Sequence, residues 1–398
     1  MLFSRSTRVR KMPARLPMLA LLSAFVAVFL MVSPGQAADA DAETRQATSS
    51  EQQQPTVQLA ILLDTSNSMD GLIGQARTQL WRIVNEFSRH KLGGQEPRLE
   101  VALFEYGNDG LPASEGHVRL VTPLTDDLDK VSEALFGLTT NGGSEYCGHV
   151  IQDAVERLTW SDKPRDIRAI FIAGNEPFTQ GGVDYRKACK VAADQGITIS
   201  TIFCGDKQEG IATKWEHGAQ LADGTYMAIN QDRAVATIAA PQDKRLAELS
   251  VKLNKTYIGY GQAGQEGQQR QAQQDAAAAQ AAPAAAANRA VAKASKQYNA
   301  ATWDLVDAVK KGKADLEAMP AEELPEPMRQ MSPEERKAYV AKMEAERKQI
   351  QEEIRQLSDA RRDYVAKERA RLAAEQPAAE ASFDEAVIEA VEAQVEGR

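Results

Sequence analysis

Asp64, Ser66 and Ser68 alternate along the stretch Asp64-Thr65-Ser66-Asn67-Ser68. Three short oxygen-bearing side chains at that spacing turn toward one point when the backbone makes a tight loop, and hard oxygens around one point suit a magnesium-type cation. The stretch follows an apolar run at 57–63, of strand length and nearly without polar interruption, as expected of a central strand buried on both faces. A helical pattern comes directly after it. The carboxyl end of a buried strand, just before a helix, is where open α/β sheets receive their ligands. The same residues suit a purely structural role as well, Asp64 capping the helix while Ser66 and Ser68 satisfy backbone amides.

Catalytic readings of these residues find little support. An aspartyl nucleophile of the phosphatase type wants a second carboxylate two residues on, where Ser66 stands. A serine hydrolase needs a base near its nucleophile, yet the Gly-x-Ser-x-Gly elbow is absent and His90, His117, His149 and His217 are scattered. Cys147 and His149 lie close in sequence, but a half-buried structural histidine is the more common explanation of such a pair. A zinc site from Cys147, His149 and Cys204 lacks standard ligand spacing. The sequence therefore reads as a binding protein and not an enzyme, with an unrecognised hydrolase as an alternative.

Apolar runs of strand length alternate with helical stretches from residue 57 onward, the pattern of a parallel sheet covered by helices. Leu72, Ile73, Ala76, Leu80, Ile83, Val84 and Phe87 recur at steps of three and four, which predicts one core-facing helical stripe. Further strands are predicted at 99–106, 117–121, 167–173, 197–204 and 224–229, making six. The second and third flank the turn-prone Gly107-Asn108-Asp109-Gly110 and should form an antiparallel edge. Helices are expected at 126–138, after the Gly-rich loop 139–146, and at 184–195.

The stretch Leu59-Ala60-Ile61-Leu62-Leu63 followed by Asp64-Thr65-Ser66-Asn67-Ser68 resembles the Asp-x-Ser-x-Ser motif of the von Willebrand factor A (VWA) family. The likeness extends over roughly residues 55–232, through Gly142-Gly143-Ser144-Glu145, Ile170-Phe171-Ile172-Ala173-Gly174 and Ala222-Asp223-Gly224-Thr225-Tyr226. It implies a doubly wound, mostly parallel, Rossmann-like α/β sheet of six strands with a metal-ion-dependent adhesion site (MIDAS) at its top. Asp64, Ser66 and Ser68 would hold Mg2+ or Mn2+, with Ser144 and Glu145 at the position of the family's second-loop threonine and Thr140 nearby. An Asp or Glu of a partner protein would fill the open coordination position. One departure bears on affinity: where the family usually carries an Asp after the fourth strand, this chain has Gly174, followed by Asn175 and Glu176, which could restore charge through water.

The remaining sequence sets the context. Arg5, Arg8, Arg10, Lys11 and Arg15 precede an apolar run at 16–32 and small residues up to Ala37, the pattern of a signal peptide at 1–37. Export to the periplasm follows, or anchoring in the inner membrane by residues 16–32 if cleavage does not occur. Cleavage removes five positive charges and no acid, moving the net charge from −9 to −14, which disfavours nucleic acid as a partner. Cys147, Cys189 and Cys204 then lie in a disulfide-permitting compartment. A Cys147–Cys204 bridge is the first choice, Cys189 competes for Cys204, and three buried thiols are the alternative. A disordered leader is expected at 38–54, the VWA domain at 55–260, a Gln/Ala linker at 261–288, a helical arm at 289–375 and an acidic Ala/Glu tail at 376–398. Within the arm a helix is expected near 298–310. Farther on, Val340, Met343, Ile350, Ile354, Leu357 and Tyr364 follow coiled-coil spacing, with Arg347 and Arg361 as polar members of the seam. Such a seam permits self-association, or a metal-independent scaffold acting through the arm.

Overall fold

The computed structural model describes residues 54–375 and 383–396, with the exception of 90 and 231–237. The expected signal peptide, nearly all of the expected leader and residues 376–382 lie outside the described residues. Among the described residues no helix is long and apolar enough to cross a membrane.

Six strands form one sheet: β1 (Thr56–Asp64), β2 (Arg98–Tyr106), β3 (Val118–Thr125), β4 (Ile167–Gly174), β5 (Thr198–Cys204) and β6 (Tyr226–Ile229). Their order is β3-β2-β1-β4-β5-β6. All neighbours pair in parallel except β2 with β3, so the antiparallel edge lies where the sequence places it. β1 is central and every one of its residues is buried, as its unbroken apolar run requires.

Helices α1 (Asp70–Phe87) and α2 (Leu128–Gly137) cover one face of the sheet, while α3 (Cys147–Arg157) and α4 (Tyr185–Asp194) cover the other. Alternation along β1 divides the core accordingly. Leu59, Ile61 and Leu63 join Leu72, Ile73 and Leu80 of α1, whereas Ala60 and Leu62 join Val150 and Ile151 of α3. Short helices α5 (Lys207–Ala212) and α6 (Trp215–Gln220) link β5 to β6.

The chain beyond β6 departs from expectation in four places. First, residues 261–288 are no linker: they belong to α8 (Gly261–Ala281) and α9 (Pro283–Ala294), which follow α7 (Asp243–Asn254). Their small side chains allow close packing, so composition that looks featureless is compatible with an interface. A Cβ on Gly267 would come within 2.3 Å of the Trp303 ring, and Ala287 and Ala290 pack with Leu246, Leu249 and Leu253 of α7. Second, the helix expected near 298–310 shrinks to α10 (Leu305–Lys310), because the Asp304 carboxylate caps it by accepting from the Asp307 amide at 3.0 Å.

Third, part of the seam on α11 (Pro333–Glu375) packs within the chain. Val340, Met343 and Ile354 are buried against neighbouring elements of the same molecule. The two arginines that interrupt it are anchors: Arg347 pairs with Asp304 at 2.7 Å and Asp307 at 2.8 Å, and Arg361 pairs with Asp243 at 2.6 Å. Val340, Met343 and Ile354 therefore pack within the molecule, whereas Tyr364 of the same seam is exposed. Fourth, the acidic tail contains α12 (Phe383–Glu396), which returns to the sheet and packs on α1, β5 and β6. Phe383, Ala386, Val387, Ala390 and Val391 are buried in the core shared with Leu63 and Leu80, and their spacing of three and four is the helical signal that the composition concealed.

Because Phe383 is 1% exposed and enters that core, Phe383→Ala is expected to lower the unfolding free energy by about 3–5 kcal/mol. Equilibrium urea denaturation measures it, and a cost under about 1 kcal/mol would show that α12 is not integral to the sheet domain.

Candidate functional site

The carboxyl end of β1 delivers Asp64 to the sheet top, fully buried. Three backbone hydrogen bonds fix the loop that follows. The Thr65 amide donates to the Tyr106 carbonyl at 2.8 Å, the Asn67 amide to Gly142 at 3.0 Å, and the Asn141 amide to the Thr65 carbonyl at 2.9 Å. The loop is thus sewn both to the end of β2 and to the glycine-rich second loop. A bridge between Gly107 and Ser144 closes the same seam.

Asp64 Oδ1 accepts from the Ser66 amide at 2.8 Å, while Oδ2 is buried with no hydrogen-bond partner. Glu145 is 3% exposed and its Oε2 is likewise without a partner. The Ser66 and Ser68 hydroxyls stand 3.4 Å apart, and Asn175 Nδ2 donates to Ser68 Oγ at 3.1 Å, leaving the buried Asn175 Oδ1 without a partner.

Burial pushes the Asp64 carboxyl up to about 6, against the lowering effect of hydrogen bonds from Ser66. Glu145 is pushed up to about 8, by burial first and then by the charge of Asp64 beside it. The charge of Glu176 raises both further. Two buried carboxylates side by side resist ionising together, and such a pair is relieved by a proton or by a cation.

Several sequence-derived candidates meet here and others do not. Asp64, Ser66, Ser68, Glu145 and Asn175 form the cluster. Thr140 is drawn away, its hydroxyl donating to Asp70 at 2.6 Å at the start of α1. Ser144 contributes its backbone to the rim through the bridge to Gly107. Glu176 accepts from Gln180 at 2.9 Å and acts on the cluster through its charge.

Two site residues went unnoticed in the sequence. Gly107 has φ +80°, and a Cβ there would stand 2.8 Å from Asp64 Oδ1 and 2.7 Å from Glu145 Cγ, so only glycine lets the two carboxylates approach. Tyr106 pairs with Asp64 in the β1–β2 register, and its hydroxyl donates to the Ala173 carbonyl at 3.0 Å. A Cβ on Gly174 would lie 2.4 Å from that hydroxyl and 3.0 Å from Asp64 Oδ2. Tyr106 thus occupies the room that a longer residue at 174 would need.

The expected Cys147–Cys204 bridge is not formed. Cys147 and Cys189 are free thiols buried on the α3–α4 side of the sheet, whereas Cys204 faces the α1 side, so the sheet itself separates Cys147 from Cys204. Cys147 Sγ instead lies 3.9 Å from the Tyr106 hydroxyl, and burial pushes its thiol far up, the opposite of what a nucleophile requires. A non-reducing digest is expected to contain no peptide linking Cys147 to Cys204, and mass spectrometry that finds one would overturn this placement.

Among the described residues no group of three or more His, Cys, Asp or Glu side chains could hold a metal ion. The present cluster has two carboxylates and completes its donor set with hydroxyl and amide oxygens. The unpartnered oxygens of Asp64, Glu145 and Asn175 are all hard donors, so these residues fit a hard divalent cation.

The topology and this cradle define a doubly wound α/β domain with an acidic, hydroxyl-lined site at the carboxyl end of its central strand. Residues 58–214 match the family model of the von Willebrand factor type A domain, and that segment of the chain belongs to this family. VWA domains commonly mediate protein–protein interactions. Among solved structures, the chain is similar to the conserved hypothetical protein BatB of Bacteroides thetaiotaomicron, at 18% identity over 44% of this chain and 90% of that one, TM-score 0.34. It is similar also to a von Willebrand factor type A protein of Catenulispora acidiphila (19% identity, 46% and 40% of the two chains, TM-score 0.34). A third is proximal thread matrix protein 1 of the mussel byssus, described with a zinc-occupied MIDAS motif (15% identity, 45% and 43%, TM-score 0.34). No curated protein matches the chain.

A carboxyl whose folded-state pKa lies above its unfolded value loses stability as pH rises through the folded value, so above about 6 the cost of Asp64 is fully present. Asn at this position keeps an oxygen for the Ser66 amide, offers Glu145 a donor and removes one buried charge. In chelator at pH 7.5, Asp64→Asn is therefore expected to be more stable than the native protein by about 1–3 kcal/mol, measured by urea denaturation. Lower stability would mean that other groups already compensate the carboxylate.

Proposed function

We propose that this chain is an exported, periplasmic recognition protein whose VWA domain grips a protein partner through a divalent cation, Mg2+ or Mn2+, held by Asp64, Ser66, Ser68 and Glu145. The observation that carries this reading is the adjacent pair of buried carboxylates, each with an oxygen that has no hydrogen-bond partner. Bound there, a cation would supply an open coordination position for an Asp or Glu of the partner. Asn175 steadies Ser68 through its amide. Ser144 remains a candidate for the rim at which a partner arrives, and Glu176 adds negative charge that favours a cation.

Calorimetric titration of the purified protein with MgCl2 and MnCl2 tests this reading, beside Asp64→Ala. Saturable binding in the native protein and its loss in the variant are expected. Absence of binding to both ions in the native protein, at a pH above 8 where protons no longer compete, would overturn it.

A further inference from the structure

On the side of α1 away from the sheet, α1, α9 and α11 diverge around a cavity of about 320 Å3. It opens toward a second hollow of about 230 Å3 that shares Asn85, Arg89, Val291 and Ser358 with it. The combined space falls in the range of small-molecule sites. Among the described residues, the first cavity is lined by Arg82 and Arg89 from α1 and Arg361, Arg362 and Arg369 from α11 against one acid, Glu86, while Glu96 and Asp359 line the second hollow beside Lys296 and Arg355.

Of the carboxylates that pair with these arginines, Asp384, Asp243 and Glu385 stand outside both linings, whereas Glu86 lies in the first and Asp359 in the second. Asp384 takes Arg82, Asp243 takes Nε of Arg361, and Asp359 takes Nη1 of Arg362 at 3.1 Å. Each uses part of a guanidinium that carries five N–H donors. Among the described residues Arg369 is the least compensated of these arginines, its ion pair being to Glu385 at 3.8 Å. Burial, followed by the charges of Arg82 and Arg361, pulls Arg369 below the ordinary arginine range.

A second observation points to a ligand. Asn85 lines both hollows and is 7% exposed, its Nδ2 donates to the Asn288 carbonyl at 2.8 Å, and its buried Oδ1 has no partner. An acceptor left without a donor is costly in a buried position. The cavity therefore offers several guanidinium forks and one waiting acceptor.

We infer that this arginine-lined cleft between α1 and α11 binds a phosphorylated small molecule, the phosphate held by Arg361, Arg362 and Arg369 and a hydroxyl or amide donor of the ligand directed at Asn85 Oδ1. Guanidinium forks match phosphate oxygens in pairs, and a dianion offsets three neighbouring positive charges better than a single carboxylate does. The site lies apart from the Asp64 cluster and does not depend on it.

Inorganic pyrophosphate serves as the probe, titrated calorimetrically and by thermal shift into the purified protein, with sodium chloride at matched ionic strength as the reference. A saturable response beyond that of chloride is expected. Arg362→Gln combined with Arg369→Gln should weaken it at least tenfold while leaving the melting temperature without ligand unchanged or raised, since Arg369 sits among like charges. Asp64→Ala should keep the response, separating this site from the cation site. A response equal to that of chloride, undiminished binding in the double variant, or loss of binding in Asp64→Ala would each overturn the assignment.

Discussion

The arrangement at the sheet top follows from one constraint: Asp64 is a carboxylate forced under cover at the end of a strand buried on both faces. Parallel pairing on both sides of β1 leaves its carboxyl end no route to solvent except through the loops that close over it. Those loops must therefore supply hydrogen bonds, or a counter-charge, at short range. The Ser66 amide supplies one bond. Glu145 arrives as a second carboxylate, tolerated because Gly107 leaves no Cβ between the two. Gly174 on the other side yields its space to the Tyr106 hydroxyl. An acidic pocket of this kind costs stability in isolation, and its persistence is intelligible where something positive completes it.

The parts of this design that were legible in the sequence are those governed by local periodicity. The run at 57–63 and the stripe from Leu72 to Val84 announce a buried strand and a covering helix, and the alternation of Asp64, Ser66 and Ser68 announces the loop between them. Tyr106 and Gly107 were not legible, because their role comes from register: Asp64 faces Tyr106 only once β1 and β2 are paired. The Cys147–Cys204 bridge failed for a related reason. Both residues lie toward the same end of the sheet, yet strand alternation puts Cys204 on the α1 side, while α3 carries Cys147 on the other. Position along a strand could be read. The face on which a helix lands could not.

Beyond residue 260 composition misled in a consistent direction. Alanine, glycine and glutamine runs resemble a linker because they bring little apolar area of their own, yet small residues let helices approach closely enough for a few large partners to fill the gap, as Trp303 does against Gly267. Charged residues carry the remaining specificity. Arg289 is 1% exposed, pairs with Asp129 of α2 at 2.6 Å and with Asp275 of α8, and stacks over Trp81 of α1 at 4.5 Å. Lys293 reaches Asp275 at 2.7 Å and Asn254 at 2.5 Å. Buried ion pairs add little net stability because desolvation offsets their attraction, but they penalise any misregistered packing that would strand one charge. The network therefore specifies how α8 and α9 dock on α1 and α2, a task that alanine surfaces alone leave underdetermined.

These threads meet on α1. Its first residue, Asp70, receives the Thr140 hydroxyl at the rim of the acidic site, and Gln75, one turn farther on, accepts from the Phe383 amide at 3.1 Å. Trp81 lies under Arg289, and Arg82 holds Asp384. A helix clamped at several levels by segments as distant in sequence as 289 and 384 is a rigid strut, and the loop at residues 65–69 is fastened to its end. The C-terminal helices thereby act on the site without touching it: by fixing the axis of α1 they fix where Ser66 and Ser68 stand relative to Asp64. A sheet domain cut from this chain at residue 260 would lose Phe383 and Val387 from its core and Arg289 from its flank. The helical region is for that reason part of the structure that presents the site, and not an arm hung from it.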